Sequence, residues 1–263
     1  MEYIGYFISI LIGMTLGLVG AGGSILTVPV LVYLFKINPE SAVSYSLFIV
    51  GISSMVGSYR HYLLGNLKIK SALIFALPSV ISLLIVREII LPMIPSQIFA
   101  VNDFVVSKNM LIMIVFAGLM ILASISMIKK SKDKPETIEN VNYKILVFIG
   151  FLVGLVTGFL GAGGGFLIIP ALLFFANLPM KQAVGTSLLI ISINSAIGFS
   201  GDILTGVQIN YKMLFTISII AIIGMFIGTA LSKKIDGKKL KPAFGWFVLV
   251  MGIYIITKEL ILK

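Results

Sequence analysis

The chain has 263 residues, 59% of them hydrophobic and 11% charged, and its 20 Lys and Arg against 10 Asp and Glu leave a net charge of +10. A soluble domain carries roughly 25% charged residues, so this composition, with a mean hydropathy of +1.12, excludes one, and the short alternating segments of a membrane β-barrel are absent. The basic residues gather in a few short loops without interleaved aromatics, which excludes a nucleic-acid partner, and zero cysteines exclude disulfides and thiolate metal sites.

Ten apolar segments follow in chain order: about 3–19, 24–36, 41–59, 69–91 and 106–128, then 144–160, 165–177, 182–200, 211–231 and 242–262. The fold class is an all-α polytopic membrane protein, because such segments recur at lengths that can span a hydrocarbon core about 30 Å thick. The first segment is not read as a cleaved leader: Met1-Glu2 carries no Lys or Arg, and the run has a matching copy at 144–161. Between segments one and two lies Gly17-Leu-Val-Gly-Ala-Gly-Gly-Ser-Ile-Leu-Thr-Val-Pro29. Further on, 91–107 has no counterpart of equal length in the second half and receives no assignment. The polar stretch 129–143 is the one clear linker, dividing a first membrane repeat, 1–128, from a second, 144–263.

The second half opens as the first does, with Gly158-Phe-Leu-Gly-Ala-Gly-Gly-Gly-Phe-Leu-Ile-Ile-Pro170. At a constant offset of 141, positions 13–65 match 154–206 identically at 19 of 53 sites, including Pro29/Pro170, Ala42-Val43/Ala183-Val184, Ser46-Leu47/Ser187-Leu188 and Gly57/Gly198. Apolar composition does not produce matched glycines and prolines, so the chain is an internal duplication. Lysines at 129, 130, 132, 134 and 144, and at 233, 234, 238, 239 and 241, place the linker and the 232–241 loop in the cytoplasm by the positive-inside rule. Counting outward, the 60–70 loop (Arg60, Lys68, Lys70) is also cytoplasmic and its counterpart at 201–211, with Asp202 and no cation, is external. The two repeats are therefore expected in inverted topology, each with about five segments and a glycine-interrupted helix pair. That pair can be two short spans or a re-entrant pair. The segments 24–36 and 165–177, near 20 Å at 1.5 Å per residue, fit a partial crossing.

A break inside the bilayer is tolerated only within protein or facing water. Helices starting at Gly22-Gly23-Ser24 and Gly163-Gly164-Gly165 would aim free N–H groups and a positive dipole end at that space, which suits an anion. Inverted repeats that bring two such starts together near the midplane are a transporter arrangement. The substrate-binding expectation covers Gly20, Ala21, Gly22, Gly23, Ser24, Gly161, Ala162, Gly163, Gly164 and Gly165, with Pro29 and Pro170 interrupting the following helices. The competing reading is close helix packing, favoured for the four-apart pairs Gly13/Gly17, Gly154/Gly158 and Gly224/Gly228. A polar stripe adds Ser46, Ser53 and Gly57 in the first half and Ser187, Asn194 and Gly198 in the second, with Thr186 beside it. These groups either line a pathway or bond between helices.

A dinucleotide fingerprint is rejected, because Ile25 and Phe166 stand where its third glycine belongs. None of the ten acidic residues sits at the centre of a segment, which argues against cation transport. His61 reads as a solvated loop histidine, and Arg87-Glu88 as a local ion pair or interface anchor. No cluster of His, Asp, Glu or Cys has catalytic or metal-ligand spacing, so an enzyme, a metal and a cofactor are not expected.

The doubled Gly-x-x-Gly-Ala-Gly-Gly turn with its proline, and Ala-Val-x-x-Ser-Leu after each copy, resembles the TauE/SafE sulfite exporter family over nearly the whole chain. The resemblance implies a multi-pass cell-membrane permease for small sulfur-containing anions such as sulfite, a sulfonate or sulfoacetate. The combined expectation is a secondary transporter working by alternating access, the anion held at the paired turns by backbone N–H groups, Ser46, Ser187 and Asn194. The alternative is an anion channel that uses the same turns as a filter. The partners expected are the anion and the lipid bilayer, and a homo-oligomer is left open.

Overall fold

The computed structural model describes residues 2–20, 22–95, 97–101, 104–128, 142–207, 209–232, 235 and 237–260. Residues 129–141 of the expected linker, and Lys233 and Lys234 of the expected cytoplasmic loop, lie outside them. Each apolar segment is a helix. In the first half these are α1 (Glu2–Val19), α2 (Gly22–Tyr33), α3 (Pro39–Leu63), α4 (Ile69–Leu84) and α5 (Lys108–Ile128). The second half has α6 (Tyr143–Leu160), α7 (Ile168–Phe175), α8 (Met180–Leu204), α9 (Tyr211–Ser232) and α10 (Gly237–Leu260). Six helices among the described residues are long and apolar enough to cross a membrane: 39–63, 69–93, 108–125, 143–160, 180–204 and 211–232. The protein is all-α and polytopic.

The unassigned stretch 91–107 finishes α4 and then turns back on itself. After Leu84 the helix widens into a π-helical stretch, Ile85–Ile90, and closes with one α turn, Leu91–Met93. An antiparallel hairpin follows, β1 (Gln97–Val101) and β2 (Phe104–Ser107), leading into α5.

Two long seams hold the helices. Gly13 and Gly17 of α1 lie against Ala221, Met225 and Gly228 of α9, and Gly150, Gly154 and Gly158 of α6 lie against Phe75, Ser79 and Leu83 of α4. A Cβ added at Gly13 or Gly154 would overlap the facing carbonyl, so backbone meets backbone and the packing reading of these glycines holds. Residue numbers rise together along both seams, so each pair runs parallel. At the centre α3 and α8 run antiparallel: Leu47 meets Gly198, Gly51 meets Ser195, and Gly57 meets Leu188. The pair α5 and α10 is antiparallel too, with Ile128 beside Gly245 and Ile121 beside Gly252.

Burial is arranged as lipid demands. Large apolar side chains face outward on the seam helices, among them Leu77, Ile81, Phe148, Ile219 and Ile223. The interior holds Ser24, Thr27, Ser46, Ser53, Ser54, Ser79, Ser187, Asn194 and Ser195 together with the apolar core. Enclosure by helices keeps these polar groups out of lipid, where none could be satisfied.

Candidate functional site

The two glycine turns are built differently and meet each other. In the first, α1 ends at Val19 and Gly20 takes φ +84°, a left-handed conformation open to glycine at little cost. Helix α2 then folds back along α1: Gly23 packs on the Ile12 carbonyl, and at the far end Phe35 packs edge-on against Tyr6, 5.5 Å between centroids. In the second, Gly161 takes φ +66°, and the chain runs as a 3-10 helix from Gly161 to Leu167 before α7 begins at Ile168. The expected α-helical start at Gly163-Gly164-Gly165 is corrected by this turn of 3-10 helix; three consecutive glycines give little support to an α-helix. In the first copy the α-helix does begin at Gly22.

The meeting point is Ser24 with Gly165. A Cβ on Gly165 would lie 3.5 Å from the Ser24 hydroxyl oxygen, and Ser24, Gly165 and Phe166 are all buried. Each turn also rests on the third helix of the other half. Gly20 abuts Val184 and Ser187 of α8, and a Cβ there would come within 2.7 Å of Ser187 Oγ. Gly161 abuts Val43 and Ser46 of α3, and a Cβ there would come within 2.7 Å of Val43 and 2.9 Å of Ser46 Oγ. The Ala-Val-x-x-Ser-Leu match of the two halves is thus the seat of the two turns.

The structure brings together Gly20, Gly161, Ser24, Gly165, Ser46 and Ser187. Gly22, Gly23, Ala162, Gly163 and Gly164 belong to the same two turns, and Ala21 lies outside the described residues. Pro29 is inside α2, and Pro170 is the third residue of α7. The two serine hydroxyls donate to their own helices, Ser46 to Val43 O at 2.7 Å and Ser187 to Val184 O at 2.8 Å. Thr186 and Asn194 are engaged elsewhere: Thr186 Oγ1 accepts from the Lys68 amide at 3.1 Å, and Asn194 Nδ2 donates to Ser79 Oγ of α4 at 2.6 Å. Asn194 Oδ1 and the hydroxyls of Ser53 and Ser54 are buried without a hydrogen-bond partner.

Three residues beside the turns escape a reading of segments by hydropathy. Arg87, on the π-helical stretch, pairs not with Glu88 but with Asp202 at the end of α8: Nε donates to Oδ1 at 2.8 Å and Nη2 to Oδ2. Nη2 also donates to Ser44 of α3 at 3.1 Å, and Nη1 reaches the Gly158 carbonyl at 3.5 Å, one turn before Gly161. Both side chains are 7% exposed, so Asp202 is enclosed and not in a loop. His61 is corrected in the same way. Helix α3 runs to Leu63, leaving His61 2% exposed, against Gly185 of α8 and turned toward the backbone of Gly17. Neither ring nitrogen makes a hydrogen bond of normal geometry. One signal was present in the sequence: at the offset of 141, His61 falls on Asp202.

A family model described as Sulfite exporter TauE/SafE matches residues 6–255. A probable membrane transporter protein of Xylella fastidiosa (strain Temecula1 / ATCC 700964) is 30% identical over 262 residues, covering 95% of this chain and 92% of its own length. Similar too are a probable membrane transporter protein of Methanocaldococcus jannaschii, 24% identical over 95% of this chain and 93% of its own, and the probable membrane transporter protein YunE of Bacillus subtilis, 26% identical over 94% of each. These relatives carry the names of transporters, not of enzymes. No solved structure matches.

Proposed function

The chain belongs to the TauE/SafE sulfite exporter family of membrane transporters, and from that premise we propose that it is a secondary permease for a small sulfur-containing oxyanion such as sulfite, a sulfonate or sulfoacetate. The anion sits where the two glycine turns meet, held by backbone N–H groups of the first turn of α2 and of the 3-10 stretch. Ser24, Ser46 and Ser187 line that place, and Asn194 sets the spacing of α8 and α4 behind it. The observation that carries this reading is the juxtaposition of Ser24 with Gly165, each turn seated on the opposite half.

The halves act as inverted repeats in the cell membrane, with the 129–143 and 232–241 loops in the cytoplasm. The antiparallel crossing of α3 with α8, and of α5 with α10, supports that arrangement. Rocking of one half against the other then exposes the anion to each side in turn. In proteoliposomes, labelled sulfite is expected to show saturable counterflow that Gly163→Leu abolishes. Unitary sulfite currents without saturation would instead make the protein a channel.

A further inference from the structure

We propose that His61 is a proton-binding site that loads together with the anion, so that the permease moves one proton with each anion. This rests on the anion site described above and adds the coupling ion to it.

The argument starts from the duplication. Beside the second turn the chain places a closed charge pair: Asp202 holds Arg87, and Arg87 reaches Ser44 and the carbonyl of Gly158. The corresponding places beside the first turn are occupied by His61 for Asp202, Gly185 for Ser44 and Gly17 for Gly158, all at the offset of 141. The loop after α8 is one residue longer than that after α3, so Arg87 corresponds to Thr229, which faces Gly17. The contacts agree with this correspondence: His61 touches Gly185 and is turned toward Gly17, as the Asp202–Arg87 pair touches Ser44 and Gly158. One half therefore holds a carboxylate with a permanent counter-ion. The other holds an imidazole whose nitrogens make no hydrogen bond of normal geometry and which has no ion-pair partner among the described residues.

The surroundings decide what that imidazole can do. Packed on it are Gly17 of α1, Gly185 of α8 and the 64–68 loop, whose Asn66 carbonyl also faces Gly185. The charged groups near this end of the described helices are Arg60 of α3, whose guanidinium lies 5.2 Å over the Phe226 ring of α9, Lys68 of the loop and the exposed Lys181 of α8. All are cations. An enclosed imidazolium without a neighbouring negative charge is costly, so His61 is stable as a cation only when an anion arrives. The anion would arrive close by, since Gly20 rests on Val184 and Ser187, the residues that flank the Gly185 contact of His61. One ring nitrogen already carries a hydrogen; the lone pair of the other takes a proton from water on the open side and returns it when the anion leaves. Proton and anion then raise each other's affinity by the same factor.

The experiment uses the full protein in nanodiscs with methanesulfonate and sulfate as probes, both fully ionised between about pH 5.5 and 8 where histidine titrates. His61 is the sole histidine of the chain, so isotope-labelled histidine gives one imidazole signal. Saturating probe at constant pH is expected to move that signal to the imidazolium form, and probe affinity to rise up to about tenfold per unit fall in pH. His61→Gln is expected to bind the probe with one affinity across that pH range, without the gain at low pH. Binding that leaves the imidazole neutral in the wild type, or a slope retained in His61→Gln, overturns the proton site alone. Failure of the wild type to bind any sulfur oxyanion overturns the anion-site reading, and the coupling with it.

Discussion

At the scale of single residues, the loop after α3 and the second glycine turn depend on glycine for separable reasons. Gly65 and Gly161 both have positive φ, +70° and +66°, but Gly161, with ψ −149°, sits where little but glycine fits, and a Cβ there would also press on the Val43 carbonyl at 2.7 Å, whereas nothing lies within 4 Å of a Cβ at Gly65. Gly65→Ala should therefore cost only the conformational term, about 1–2 kcal/mol. Gly161→Ala should cost more and displace the turn from α3. Unfolding in detergent micelles, run beside sulfite counterflow, checks both: Gly65→Ala is expected to transport normally and Gly161→Ala is not. Equal losses in the two variants would show that the seat on α3 contributes nothing. The glycines of these turns are legible in the sequence because they repeat. The back-bonding of Ser46 and Ser187 is not, because a hydroxyl's choice between its own helix and a neighbour depends on how closely the neighbour packs.

At the scale of elements, the Arg87–Asp202 pair fastens the π-helical end of α4 to the end of α8, with α3 and α6 as further attachments. Removing one partner of a buried pair leaves an uncompensated charge and costs about 3–5 kcal/mol, while replacing both by apolar residues is close to neutral. Asp202→Asn should accordingly destabilise the protein strongly, and Arg87→Met combined with Asp202→Leu should recover most of the loss in the same unfolding measurement. A double variant no better than Asp202→Asn would place the cost in the hydrogen bonds to Ser44 and Gly158, not in the charge. Hydropathy located all ten helices, yet it began α10 five residues late and ended α3 and α8 near 59 and 200, four residues short of Leu63 and Leu204. That shortfall is what turned His61 and Asp202 into loop residues. Polar side chains at the end of an apolar run look like its boundary until the neighbour that covers them is known. The π-helical widening and the 97–107 hairpin had no periodic signal to announce them.

At the scale of the whole molecule, the absence of cysteine makes orientation directly measurable. Lys70 and Thr205 are exposed and follow corresponding helices of the two halves. Single variants Lys70→Cys and Thr205→Cys, treated in intact cells with a membrane-impermeant maleimide, should label from opposite faces, Thr205→Cys from outside. Labelling of both from one face would remove the inverted arrangement and with it the convergence of the two turns. The duplication itself was plain in the sequence. How the halves interlock was not, since each turn is seated on residues more than a hundred positions away, and a repeat does not say which surface of one copy meets the other.

The crossing of α3 and α8 sets how motion at one end of the molecule is felt at the other. Gly51 is the thirteenth of the 25 residues of α3, and its contact with Ser195 falls near the middle of the equally long α8. The arms on either side of this fulcrum are about 18 Å long at 1.5 Å per residue. A tilt about it swings the Pro39 end and the Leu63 end of α3 by equal amounts in opposite senses. In the rocking permease proposed above, narrowing at one mouth would be widening at the other, with no separate linkage needed between the two.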